Sequence, residues 1–113
     1  MNNEKRDNRN KAGKLGKIIV NVFMESKNGS KMEGIKINLY RINGVSPQLE
    51  ISKLTDKNGV VIFDNLSPGN YRVIEIIDKE IYEKPIYKSW NEVNISNYLK
   101  ETVIDIINRK KRS

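Results

Sequence analysis

The sequence predicts an all-β fold, an antiparallel sandwich of about seven short strands. Three observations carry this. Apolar and polar residues alternate with period two, in runs rich in Ile and Val. The dipeptides Asn28-Gly29, Asn43-Gly44, Asn58-Gly59 and Pro68-Gly69 punctuate those runs with turn chemistry. No segment sustains a 3.6-residue period, and one helical turn over 96–100 is the most the pattern allows.

The first strand is expected over 17–24. Ile18, Val20, Val22 and Met24 share one face, and Lys17, Ile19, Asn21 and Phe23 the other. After the Asn28-Gly29 turn a second strand covers 34–42, with Ile35, Ile37 and Leu39 inward and Lys36, Asn38 and Tyr40 outward. Asn43-Gly44 and Pro47 break it, and 50–55 forms a short third strand. Asp56-Lys57-Asn58-Gly59 is a turn in which Gly59 suits positive φ. The fourth strand is 60–63. A loop closed by Pro68-Gly69 leads to the fifth, 71–77, where Tyr71, Val73 and Glu75 share a face. Segments 80–88 and 91–95 are short and interrupted by Pro85, and 102–108 is the last strand.

The 113 residues fit one domain. Its expected limits are 17–108, between a disordered basic tail, 1–16, and a basic C-terminal tail, 109–113. The net charge of +7 is concentrated in those tails: residues 1–17 carry six basic side chains against two acidic, and 109–112 are Arg-Lys-Lys-Arg. Residues 18–108 are left at −1, so the high isoelectric point describes the tails and not the sandwich surface. There is no Cys, which excludes disulfides and thiolate metal sites, and no His, which removes the commonest neutral-pH base and metal ligand. No run reaches the length of a membrane span. The N-terminus has charge but no apolar segment behind it, so neither a secretory signal nor a sorting motif is expected.

One stretch carries a denser pattern. Residues 55–75 read T-D-x-N-G-x-x-x-F-x-N-L-x-P-G-x-Y-x-V-x-E, and upstream lies Met32-Glu33-Gly34-Ile35-Lys36-Ile37-Asn38-Leu39-Tyr40. Together these resemble the Cna protein B-type, or SpaA-like, domain, whose immunoglobulin-like sandwich is called prealbumin-like. The resemblance covers about residues 17–108 and implies more than a fold. Such domains form an intramolecular isopeptide bond: a Lys on the first strand attacks an Asn or Asp on the last, while a buried Glu carries the proton. Burial keeps the acid neutral and the amine unprotonated. By resemblance Glu75 takes the place of that Glu and Asn108 that of the acceptor. The position of the Lys falls on Met24, which is similar in length but has no nucleophile. The resemblance thus implies a degenerate site, Met24, Glu75 and Asn108, without the bond. A shifted register, with Lys17 or Lys27 as nucleophile, stays open at this point.

The expected function is a non-enzymatic structural, adhesive or binding module, with no cofactor and no metal and with an unknown protein or surface ligand as partner. The resemblance suggests the cell surface, although no signal peptide or sorting motif supports it. The same fold carries a transthyretin-related hydrolase family whose activity depends on His, which this chain lacks. An alternative is an anionic-surface or nucleic-acid binder acting through the basic tails. Nucleic acid is disfavoured, because no aromatic-plus-basic strand motif for base stacking is present. A minor alternative is carbohydrate binding by Tyr82, Tyr87 and Trp90.

Overall fold

The structure, a computed structural model, describes residues 15–112. Of the expected N-terminal tail, 1–14 lie outside the described residues, as does Ser113 at the other end. Eight strands form two sheets of four: β1 (Gly16–Met24), β2 (Lys36–Ile42), β3 (Pro47–Leu54), β4 (Val60–Leu66), β5 (Gly69–Ile76), β6 (Ile86–Lys88), β7 (Glu92–Ile95) and β8 (Glu101–Asn108). The sheet orders are β4-β1-β8-β6 and β3-β2-β5-β7. The sandwich is confirmed, with eight strands where about seven were expected, and no helix is found among the described residues.

The core fills with the inward positions of the period-two runs. Ile18, Val20 and Val22 of β1 meet Ile37 and Leu39 of β2, Val61 and Phe63 of β4, and Tyr71 and Val73 of β5. Burying a side chain of this kind stabilises by about 1.5–3 kcal/mol. Gly16 belongs to β1, one residue before the expected start. It lies so close to β4 and β7 that a Cβ there would sit 2.5 Å from Ile95 Cγ2 and 2.8 Å from the Leu66 carbonyl.

The turn motif has a visible cause. Asp56 Oδ1 accepts hydrogen bonds from the backbone N–H of Asn58 and of Val60, at 2.8 and 3.0 Å. Gly59 follows at φ 73°, where a Cβ would collide with the Val22 carbonyl at 2.8 Å. Thr55 is buried, its hydroxyl donating to the Met32 carbonyl at 2.6 Å and accepting from Ile35 N–H at 2.9 Å. That pair of bonds ties the end of β3 to the segment leading into β2.

Four expectations need correction. The sandwich is not purely antiparallel: β1 and β8 run parallel and in register, from Lys17 beside Glu101 to Met24 beside Asn108. Period-two alternation carries no information about strand direction. Pro47 opens β3, an edge strand, where its missing N–H is tolerated. Asn38 points outward yet is buried, because Tyr40 and Ser52 hydrogen-bond its amide on that face. Phe23 and Ile107 are also outward in phase yet buried, side by side in register, with Ile86 of β6 next in the row.

Candidate functional site

Asn108 ends β8 and faces inward, fully buried. The parallel register puts Met24, the last residue of β1, beside it. Glu75 comes from the facing sheet, two residues beyond Val73 on the inward face of β5, and is 6% exposed. The amide Nδ2 of Asn108 donates to Glu75 Oε2 at 2.7 Å, bridging the two sheets near one end of the sandwich.

That bond leaves the pair half-partnered. Glu75 Oε1 and Asn108 Oδ1 are buried and, among the described residues, have no hydrogen-bond partner. Burial pushes the Glu75 carboxyl up to about 7, and the Asn108 hydrogen bond pulls it part of the way back. The acid is therefore held protonated far into the range where an exposed Glu is ionised. Tyr87 of β6 adds a further contact, its hydroxyl oxygen accepting from Glu75 N–H at 2.9 Å. Burial raises the pKa of this phenol, that hydrogen bond lowers it, and the charge on Glu75 raises it further.

A protonated acid against the nitrogen of a buried amide can pass a proton to that nitrogen as it leaves. Attack on the amide carbon would need an amine, and among the described residues no Lys is buried. Lys17 sits at the far end of β1, beside Glu101, seven residues or about 23 Å along the strand from Met24. Lys27 lies in the turn after β1, 68% exposed, with Nζ 3.5 Å from Asp105 Oδ2. Met24 is half-buried against the core. A second methionine, Met32, belongs to the segment that leads into β2. Its sulfur lies 3.5 Å from Asn108 Nδ2, and it is buried. Besides the Glu75 carboxyl, the amide thus has two thioethers around it, Met24 beside it in the ladder and Met32 in contact.

The three aromatic residues singled out in the sequence have different settings. Tyr82 and Tyr87 are half-buried and pack against the core. Trp90 stands 66% exposed in the turn between β6 and β7. It and Ser89 carry positive φ, 111° and 70°, a costly conformation for a bulky side chain. Asn91 holds the turn in place, donating from its side chain to the Val73 carbonyl at 3.0 Å and accepting at its backbone carbonyl from Val73 N–H at 2.8 Å. The C-terminal residues after β8 are also tied down. Glu83 N–H donates to the Arg109 carbonyl and Lys111 N–H to the Ile81 carbonyl, both at 2.8 Å.

No curated protein sequence matches the chain. Solved structures share its fold. The major pilin subunit BcpA of Bacillus cereus superposes with a TM-score of 0.61 at 23% identity, covering 86% of this chain and 30% of that one. The minor pilin GBS52 of Streptococcus agalactiae gives 0.64 at 21% identity, covering 88% and 46%. The major pilin SpaD of Corynebacterium diphtheriae gives 0.61 at 16%, covering 85% and 30%. The chain therefore spans between 30% and 46% of the length of these pilins, and the likeness is one of fold. The family model for the SpaA prealbumin-like fold domain matches residues 21–110, from β1 past the end of β8. By that match, this chain belongs to the SpaA family of prealbumin-like fold domains.

Proposed function

We propose that this chain is a non-enzymatic structural module of a surface assembly, and that it holds together without an intramolecular isopeptide bond. The observation that carries the structural role is the β1–β8 ladder. Eight residue pairs run parallel and in register between the first strand and the last. Tension applied between the start of β1 and the end of β8 loads that ladder in shear. Its hydrogen bonds must then fail together and cannot peel one at a time. The folds shared with pilins, proteins of surface fibres, fit such a role. Single-molecule stretching between the two ends tests it. A high force peak is expected, and it should fall sharply when Ile19→Pro removes a donor from the β1–β8 ladder, in phase with the Lys17 N–H that donates to the Lys100 carbonyl. A low peak that Ile19→Pro leaves unchanged would sink the mechanical reading.

The absence of the bond rests on Met24 standing beside Asn108, where the family's chemistry requires a Lys. The intact mass should equal the sequence mass. A loss of one ammonia that disappears in Asn108→Ala would show that another Lys reacts. Met24→Lys is the converse test. It places an amine against a buried acid and amide, and the variant should lose one ammonia on folding. A folded variant of unchanged mass would mean that Glu75 and Asn108 are not arranged for the reaction.

A further inference from the structure

Beyond the end of β5 the chain makes a second feature that the structural role does not use. A pocket of about 490 Å³ opens between the end of β5 and the segment that follows it. That volume lies in the range of small-molecule sites, roughly 300–1,000 Å³. Its apolar lining comes from Ile74, Ile76, Ile77, Tyr82 and Pro85. Ile76 is 48% exposed, so this apolar surface is open to solvent.

The walls are fixed by the backbone. Tyr82 N–H donates to the Asp78 carbonyl at 3.0 Å, which turns the segment back on itself. Glu83 N–H and the Ile81 carbonyl then bond to Arg109 and Lys111, so the residues after β8 strap the outer wall. This pocket is preformed and does not depend on a free loop closing.

Charge decides what fits. Lys79, Lys84 and Lys111 stand on the lining against one exposed acid, Glu83. Among the described residues none of these three ammonium groups is in an ion pair. Glu75 also borders the pocket, but its carboxyl is buried and turned inward to Asn108. An apolar lining edged by a surplus of positive charge, on a sandwich that is otherwise near neutral, is complementary to an apolar body carrying an anion. We propose that this pocket binds a small amphipathic carboxylate, its hydrocarbon part on Ile74, Ile76 and Ile77 and its anion among Lys79, Lys84 and Lys111.

The test uses the full chain with 4-phenylbutyrate as probe, and 4-phenylbutylamine and 4-phenylbutanol as its cationic and neutral counterparts. Isoleucine methyl resonances report the site. The carboxylate should shift Ile74, Ile76 and Ile77 saturably and leave Ile19 and Ile62, on the other sheet, unmoved. The amine and alcohol should bind at least about tenfold more weakly, as should the carboxylate to the triple variant Lys79→Ala, Lys84→Ala, Lys111→Ala, a loss of about 1.4 kcal/mol. The three lysines are exposed, so the variant should keep the wild-type spectrum elsewhere. Equal binding of all three probes, undiminished binding by the triple variant, shifts spread over both sheets, or no saturable shift up to millimolar probe would each overturn the assignment.

Discussion

Tyr71 and Glu75 stand on the same inward face of β5, four residues or about 13 Å apart, and both are buried. Each pins a different end of the sandwich. The Tyr71 hydroxyl donates to the Ser67 carbonyl at 2.6 Å and accepts from Arg41 at 2.9 Å. Arg41 goes on to the Ser67 hydroxyl at 3.1 Å and the Pro68 carbonyl at 3.1 Å, so the β4–β5 loop closes around a phenol with both bonds made. At the other end, Glu75 and Asn108 share one hydrogen bond and leave one oxygen each without a partner among the described residues. The first arrangement is a corner that serves packing alone. The second holds a protonated acid and two buried oxygens that have no partner among the described residues.

The sharpest way to break the contrast is to remove the satisfied pin. Tyr71→Ala deletes a fully buried aromatic together with its two hydrogen bonds, and should cost about 3–5 kcal/mol in urea unfolding. Tyr71→Phe keeps the ring and should cost about 1–2 kcal/mol, because the Ser67 carbonyl and Arg41 lose a partner. A Tyr71→Ala protein within 1 kcal/mol of wild type, a margin no larger than one hydrogen bond, would show that the corner is not what holds this end.

The two regions also differ in what the sequence disclosed. Tyr71, with Pro68-Gly69 before it, could be read as a corner, and Asp56 through Gly59 as a turn, because each depends on residues close in sequence. The bridge between Glu75 and Asn108 joins residues 33 apart across two sheets. It was reachable only through a family resemblance. Its orphan oxygens and the Met32 sulfur depend on side-chain packing that no pattern encodes. Nor could alternation reveal the burial of outward Phe23 and Ile107, since each is covered by a neighbour brought from another strand. The strapping of Arg109 and Lys111 to the 81–83 segment was equally hidden, because a run of basic residues looks like a solvated tail.

A smaller effect separates the regions by pH. Glu75 moves from an ordinary 4.5 to about 7 on folding, pushed up mainly by burial. Below pH 4.5 the carboxyl is protonated in both states, and its contribution is fully present. Between 4.5 and 7 the unfolded chain has released the proton while the folded chain still holds it, so stability falls as pH rises. Above the folded value no further loss comes from this group. The fall should be on the order of 2–3 kcal/mol, and Glu75→Gln should abolish it. Tyr71→Phe should leave the same pH profile displaced but unchanged in shape. A wild-type stability that is flat or rising over that window would mean that Glu75 is ionised in the fold.

The smallest expected change comes from removing both halves of the unsatisfied pair. Asn108→Leu alone takes away the donor to Glu75 Oε2 and leaves a buried acid with nothing to hold it, at a cost of about 1–3 kcal/mol. It should also push the Glu75 carboxyl further up, since the Asn108 hydrogen bond is what lowers it. Glu75→Leu alone strands the Asn108 amide in the same way. The double variant Glu75→Leu, Asn108→Leu removes every polar atom of the pair and replaces it with hydrocarbon of similar size against Met32 and the core. Its stability at pH 6 should lie within about 1 kcal/mol of wild type, because the single bond and two orphan oxygens roughly offset each other. A double variant that costs as much as the two single variants combined would mean the pair is worth far more than its one hydrogen bond. The orphan oxygens would then have partners, and the contrast with Tyr71 would collapse.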